Sequence, residues 1–143
     1  MATQTLTDLI VRPATEADIP ALQIFITPFV EDGKLLPRTI DELTDLLEEF
    51  FVAELRGQIV GCAALEVYSP KLAEVRSLAV SPLMQGMGVG RKLVEACVQR
   101  ARDMHILEVM AITSSEAFFK ACGFDFTLPG EKKALFIQTR EEL

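Results

Sequence analysis

The chain has 143 residues, half of them hydrophobic, and a formal charge of −7. That length makes one domain, 1–143, able to bury a sizeable core, and the acidic balance argues against a nucleic-acid partner, which needs a basic face to displace counterions. No apolar run approaches the eighteen or so residues that span a bilayer, and Met1–Asp8 lacks the basic-then-apolar order of a signal peptide, so no membrane association and a cytoplasmic location are expected.

The first elements are set by apolar spacing and helix caps. Leu9–Arg12 reads as a short strand ended by Pro13. Thr15 and Asp18 offer caps, and Ile19, Leu22, Phe25, Ile26 and Phe29 recur at helical spacing, which predicts a helix from about Asp18 to Phe29. After the loop Gly33–Arg38, Thr39-Ile40-Asp41-Glu42 is a capping box opening a second helix to about Glu49, the acidic run Asp41–Glu49 forming its solvated side.

Strands follow. Phe50–Leu55 and Gln58–Tyr68 are joined by the hairpin signal Arg56-Gly57, and Ser69-Pro70-Lys71 turns the chain into a third strand, Leu72–Val80. A helix after the next turn carries the stripe Leu93, Val94, Cys97, Val98 and Ala101, and Ile106–Ile112 reads as a strand beyond the break at Asp103-Met104-His105. Ser114 or Ser115 caps a short helix closed by Gly123, with Phe124–Thr127 and Ala134–Gln138 expected as two final strands. Cys62, Cys97 and Cys122 lie far apart with only His105 to join them, so they read as small buried apolar residues and no metal is expected.

Between the third strand and the long helix lies the most informative stretch. A helix start presents unpartnered N–H groups and partial positive charge, which makes a strand-to-helix turn a seat for phosphates. Gly86, Gly88 and Gly90 leave that seat bare, and Arg91 and Lys92 place positive charge beside it. Arg91 stands where a dinucleotide-binding turn has its third glycine, and Gly90-Arg91-Lys92-Leu93 is not a Walker loop. A tight turn with no ligand is the bland alternative.

Gln85-Gly86-Met87-Gly88-Val89-Gly90, with the strand Glu74–Val80 before it and Arg91-Lys92-Leu93-Val94 after it, resembles the acetyl-CoA signature of the GNAT N-acetyltransferases, Q/R-x-x-G-x-G/A. The resemblance runs from Val11-Arg12-Pro13-Ala14-Thr15 to Phe118-Phe119-Lys120-Ala121-Cys122-Gly123-Phe124, which is similar to the family's F-Y-x-x-x-G-F. Gly33–Arg38 and Gly61–Leu65 further resemble the acetyltransferase domain of N-acetylglutamate synthases. The fold class expected is α/β (α+β): a mixed, mostly antiparallel sheet of about six to seven strands flanked by about four helices. The resemblance implies acetyl-CoA as co-substrate, contacted by the strand end Leu78-Ala79-Val80, by Gln85, Gly86, Met87, Gly88, Val89, Gly90, Arg91 and Lys92, and by Phe119.

Acetyl transfer to an amine asks for a base, a donor to the oxyanion and release of the thiolate. Glu74 is the candidate base, directly or through water, and its place in A-E-V-R-S-L-A-V resembles that of the family's glutamate; the alternative is a surface carboxylate paired with Arg76. The family resemblance implies the N–H of Leu78 as oxyanion donor. Phe119 stands where many of these enzymes have a tyrosine acid, which leaves Tyr68 as the candidate acid, packing as its alternative, and unaided thiolate release as the default. For an amino-acid acceptor such as glutamate, Arg38 and Arg76 are the candidate carboxylate anchors, Arg38 matching the synthases' substrate arginine; each also has a purely structural reading. A non-catalytic acyl-CoA-binding module, or an enzyme acting on polyamines or protein amines, stands as the alternative function, and a homodimer is compatible with the chain.

Overall fold

The computed structural model of the protein describes residues 6–127 and 129–139. Its chain falls into two units, one ending at Thr113 and the other beginning at Ser114.

The first unit is built on a five-stranded sheet in chain order: β1 (Leu9–Pro13), β2 (Phe50–Leu55), β3 (Gln58–Ser69), β4 (Leu72–Val80) and β5 (Glu108–Met110). The first four pair antiparallel and β5 joins β4 in parallel, so the sheet is mixed, as expected. The β2–β3 turn works because Arg56 and Gly57 both take positive φ, 51° and 81°, the pair of left-handed residues that a two-residue hairpin requires.

Side-chain alternation assigns the two faces. Phe50, Val52, Cys62, Ala64 and Ala79 form one core cluster with Ile19, Leu22 and Ile26 of α1 (Ile19–Glu31) and Leu43 of α2 (Ile40–Asp45). α1 runs one residue later at its start and two later at its end than the periodicity predicts. The capping box of α2 is formed: Glu42 N–H donates to Thr39 Oγ1 at 3.1 Å and Thr39 N–H to Glu42 Oε1 at 3.2 Å. The helix is shorter than expected, because the chain tightens into a 3-10 turn over Leu47–Glu49. At the entry to α1, Arg12 holds both Asp18 (2.7 Å) and Glu54 (2.9 Å), and Asp18 also accepts from Thr15 N–H. That bond with Arg12 is the main reason the Asp18 carboxyl sits well below its ordinary range.

The opposite face receives α3 (Val89–Asp103), whose buried residues are Val89, Leu93, Val94, Cys97 and Ala101. Gly61 is what lets the helix come close. A Cβ there would lie 2.9 Å from Leu93 Cδ1, 3.2 Å from Val89 Cγ1 and 3.2 Å from the Ala79 carbonyl oxygen. Gly61→Val is therefore expected to destabilise the protein by about 1–3 kcal/mol through overpacking, read as a lower denaturation midpoint. An unchanged midpoint would show that the helix has slack there.

β4 carries the feature that positions the site. Its register against β3 passes from Ala64↔Arg76 to Cys62↔Ala79, so β4 has one residue more than its partner. The surplus is absorbed at Ser77, a non-glycine residue at φ 54°, whose carbonyl accepts from Cys62 Sγ at 3.3 Å. A bulge of this kind bends and twists its strand. On its other side β4 pairs with β5 only at Leu72, Ala73 and Glu74, so from Val75 to Val80 that edge has no strand partner among the described residues.

The second unit contains α4 (Glu116–Ala121), preceded by Ser115 and followed by Gly123 at φ 95°. Phe119 is buried and meets Phe118 and Phe124 edge-on, at 5.1 and 5.3 Å between ring centroids. The two final strands expected at Phe124–Thr127 and Ala134–Gln138 are not formed in the described residues, which corrects the expected six to seven strands to five. Leu135, Phe136 and Ile137 are exposed, so the apolar run that suggested a strand buries no face here. β5 is also shorter than the run Ile106–Ile112, being limited to what pairs with β4 before the bulge turns that strand away.

Candidate functional site

The cross-strand register sets Glu66 of β3 directly opposite Glu74 of β4, an arrangement that is destabilising for two carboxylates unless each finds a partner. Each does. Arg76 Nη1 donates to Glu66 Oε2 at 2.6 Å, and the Tyr68 hydroxyl donates to Glu74 Oε1 at 2.5 Å. Tyr68 also lies 3.2 Å from Glu66 Oε2, but its single proton serves one acceptor and the shorter bond is to Glu74.

These pairings fix the electrostatics. Glu66 is held below the ordinary carboxylate range by Arg76, and the Tyr68 hydroxyl is pushed up to about 12, chiefly by its bond to Glu74 and then by burial. Glu74 is 9% exposed, whereas the Tyr68 side chain that holds it reaches solvent. A buried carboxylate oriented by one hydroxyl is chemically a proton acceptor with a fixed lone pair.

Beside this group, on the same sheet face, is a small cavity of ≈ 80 Å³ lined by Arg38, Leu46, Glu49, Phe50, Ala64, Glu66, Arg76 and Ser77. Arg38 is the residue just before the Thr39 cap, and its carbonyl is pinned by Gln23 Nε2 at 3.3 Å. Among the described residues its guanidinium has one distant ion pair, 3.8 Å to the exposed Glu42. Glu49 enters at the junction of the 3-10 turn and β2; burial raises its pKa, as does Glu66, against the opposing pull of Arg38 and Arg76.

The glycine turn is shaped as a helix start demands. Gly86 and Gly88 take φ of 81° and 85°, and Gly88 is the left-handed N-cap of α3. A Cβ at either position would meet nothing within 4 Å, so both look onto open space and not onto packed protein. The first N–H groups of α3 lie at this start, and the strand edge that lost β5 ends eight residues before it, at Val80. A bare helix N-terminus beside an open strand edge can take an anion and an extended chain carrying amides.

The sequence profile described as "Acetyltransferase (GNAT) family" matches residues 17–124, a span that includes the strand edge, the turn and the cluster of carboxylates. The chain belongs to that family. It is 38% identical over 119 residues to an amino-acid acetyltransferase of Mycobacterium tuberculosis, covering 80% of this chain and 67% of that protein. Among solved structures it is similar to Rv2747 of Mycobacterium tuberculosis in complex with CoA and NLQ, at 36% identity and a TM-score of 0.71 over 80% of this chain and 70% of that one. It is likewise similar to the N-acetylglutamate synthase of Neisseria gonorrhoeae complexed with coenzyme A and N-acetyl-glutamate, at 31% identity and a TM-score of 0.73. There the match covers 84% of this chain and only 28% of the synthase.

Measured against a GNAT site, the residues singled out in the sequence sort by unit. Glu74, Tyr68, Arg76 and Arg38 converge on one sheet face of the first unit, and Leu78, Ala79 and Val80 form the open end of β4. The alternative weighed for Glu74, a surface carboxylate paired with Arg76, is not what forms: Glu74 is buried, and the ion pair of Arg76 is with Glu66. Gln85 Nε2 turns inward to the Val80 carbonyl at 3.4 Å, Arg91 pairs with Glu95 at 3.2 Å, and Lys92 makes no ion pair among the described residues. Sequence reasoning missed Glu49, which reads as one charge in an acidic run; only the end of that helix at the 3-10 turn brings it into the cavity. No group of three or more His, Cys, Asp or Glu that could hold a metal occurs among the described residues, and no helix among them is long and apolar enough to cross a membrane.

Proposed function

We propose that this chain moves the acetyl group of acetyl-CoA onto the α-amine of a small amino acid. Family membership makes it an acetyl-CoA-dependent acyltransferase. The observation that carries the acceptor reading is the run of polar side chains Tyr68–Glu74, Glu66–Arg76 and Arg38 on a sheet face otherwise given to the core: a proton acceptor lies next to a cavity holding a cation whose partner is distant. The relatives' names agree with it, one being an amino-acid acetyltransferase and one an N-acetylglutamate synthase.

In this reading the co-substrate supplies an activated acetyl thioester, and the residues of the chain do the rest. The N-terminus of α3, with Gly86, Gly88 and Gly90, holds the pyrophosphate, and Lys92 and Arg91 add charge at its border. The open backbone of Leu78, Ala79 and Val80 takes the amide-bearing arm, the Leu78 N–H facing the carbonyl oxygen where negative charge develops. Glu74 takes the proton of the acceptor amine, directly or through water, and Tyr68 keeps its carboxylate oriented. With its hydroxyl pushed up to about 12 and committed to Glu74, Tyr68 is a poor proton donor to a thiolate, which leaves unaided because its conjugate acid has a pKa near ~8.5. Tyr68 is thus a positioning residue in this scheme.

Thiol release from acetyl-CoA across a panel of amino acids and carboxylate-free amines tests the acceptor class. Turnover restricted to amines without a carboxylate would overturn it. The cofactor assignment has its own test: Gly88→Val puts a branched side chain at φ 85° and over the seat, and is expected to weaken coenzyme A at least tenfold, about 1.4 kcal/mol, by titration calorimetry. Unchanged affinity places the pyrophosphate elsewhere.

A further inference from the structure

The cavity beside Glu74 contains two arginines and two carboxylates, and they are not equivalent. Arg76 and Glu66 satisfy each other at 2.6 Å. Arg38 keeps only its 3.8 Å pairing with Glu42, and Glu49 makes no side-chain hydrogen bond or ion pair among the described residues. Of the cavity's two cations, Arg38 is the one not closely engaged among the described residues, and an amino acid bound through its α-carboxylate uses it. Whatever the side chain then brings is read against Glu49, Glu66 and an Arg76 already committed.

We propose that Glu49 is the residue that reads the acceptor's side chain, and that it selects a neutral carboxamide over a carboxylate or an ammonium group. This rests on the amino-acid reading above. A second carboxylate on the acceptor would face Glu49 and Glu66 with no unengaged arginine left to meet it, and like charges at close range are costly in a half-buried site. An ammonium group would meet Glu49 but crowd Arg38 and Arg76. A carboxamide carries both kinds of group at once: its NH₂ donates to Glu49, and its oxygen accepts from Arg76 or from the backbone at Ser77, all lining the same cavity. A site built to bind a donor discriminates strongly against the analogue lacking it, because its own buried acceptor is then left unpaired.

The test compares kcat/KM for glutamine, glutamate and ornithine in the wild type, Glu49→Gln and Glu49→Asp. Expected is a wild-type preference for glutamine over both of the others of tenfold or more, a glutamine-to-glutamate ratio that falls at least tenfold in Glu49→Gln, and a preference retained in Glu49→Asp, which keeps the charge. Wild-type enzyme that prefers glutamate or ornithine overturns the proposal, whether or not the variants fold. So does a ratio unchanged within twofold in a folded Glu49→Gln protein. The acceptor class itself fails in a different way: no amino acid is turned over while carboxylate-free amines are, in which case both readings fall together.

Discussion

Glu74→Gln is expected to lower turnover by about 10²–10⁴-fold while leaving coenzyme A affinity intact. The substitution keeps the size of the side chain and, with the amide turned suitably, an oxygen for the Tyr68 hydroxyl, so the strand pairing and its neighbours should survive. What it removes is the capacity to take a proton. Glu66 directly opposite is held by Arg76, and Tyr68 has one proton and gives it to Glu74, so neither of these two neighbours is free to take over the task. The pH profile of kcat is the sharper measurement. If a rising limb persists in the variant with an unchanged midpoint, the base lies elsewhere and Glu74 is a structural carboxylate; if the limb is lost with the rate, the assignment stands.

The fold was legible where one physical rule governed a whole segment. Strands β2 and β4 are legible to the residue, with turn signals closing β2 at Arg56-Gly57 after Leu55 and bracketing β4 with Ser69-Pro70-Lys71 before Leu72 and Ser81-Pro82 after Val80. The capping box of α2 and the stripe of α3 were legible for the same reason, a local pattern with a local consequence. Beyond Gly123 the apolar residues Phe124, Phe126, Leu135, Phe136 and Ile137 have strand-like composition, but composition does not supply a neighbouring strand.

The site divides along the same line. Glycines 86 and 88 announce themselves because left-handed φ and a bare helix start are properties of the turn alone. Pairings across strands are not local: which carboxylate Arg76 holds depends on the register that sets Glu66 opposite Glu74, and on a bulge at Ser77 that no sequence signal marked. Within one strand the i and i+2 positions suggested Glu74 for Arg76, and across the ladder the diagonal to Glu66 won at 2.6 Å. Glu49 was hidden by its company, one acid among the several that run from Asp41 to Glu49, until the helix ended early and turned it inward.

Arg38→Ala is expected to raise the Michaelis constant for an amino-acid acceptor by an amount corresponding to about 2–4 kcal/mol, with far smaller change for amines that lack a carboxylate. The size follows from the setting. Arg38 lines the cavity at 21% side-chain exposure, its backbone is pinned by Gln23 and by the Thr39 cap, and its one ion pair among the described residues is a 3.8 Å contact to an exposed glutamate. An exposed pair of that kind contributes little to stability, so the variant should fold and melt close to the wild type. A substrate carboxylate bound there is in a different position: removing the arginine strands a desolvated charge beside Glu49 and Glu66, which repel it. Arg38→Lys sharpens the reading, since it restores the charge but not the planar fork, and should recover only part of the loss. If Arg38→Ala leaves the Michaelis constant for amino acids unaltered, the arginine only anchors its loop, and the acceptor carboxylate must be sought at Arg76, whose engagement with Glu66 would then have to break on binding.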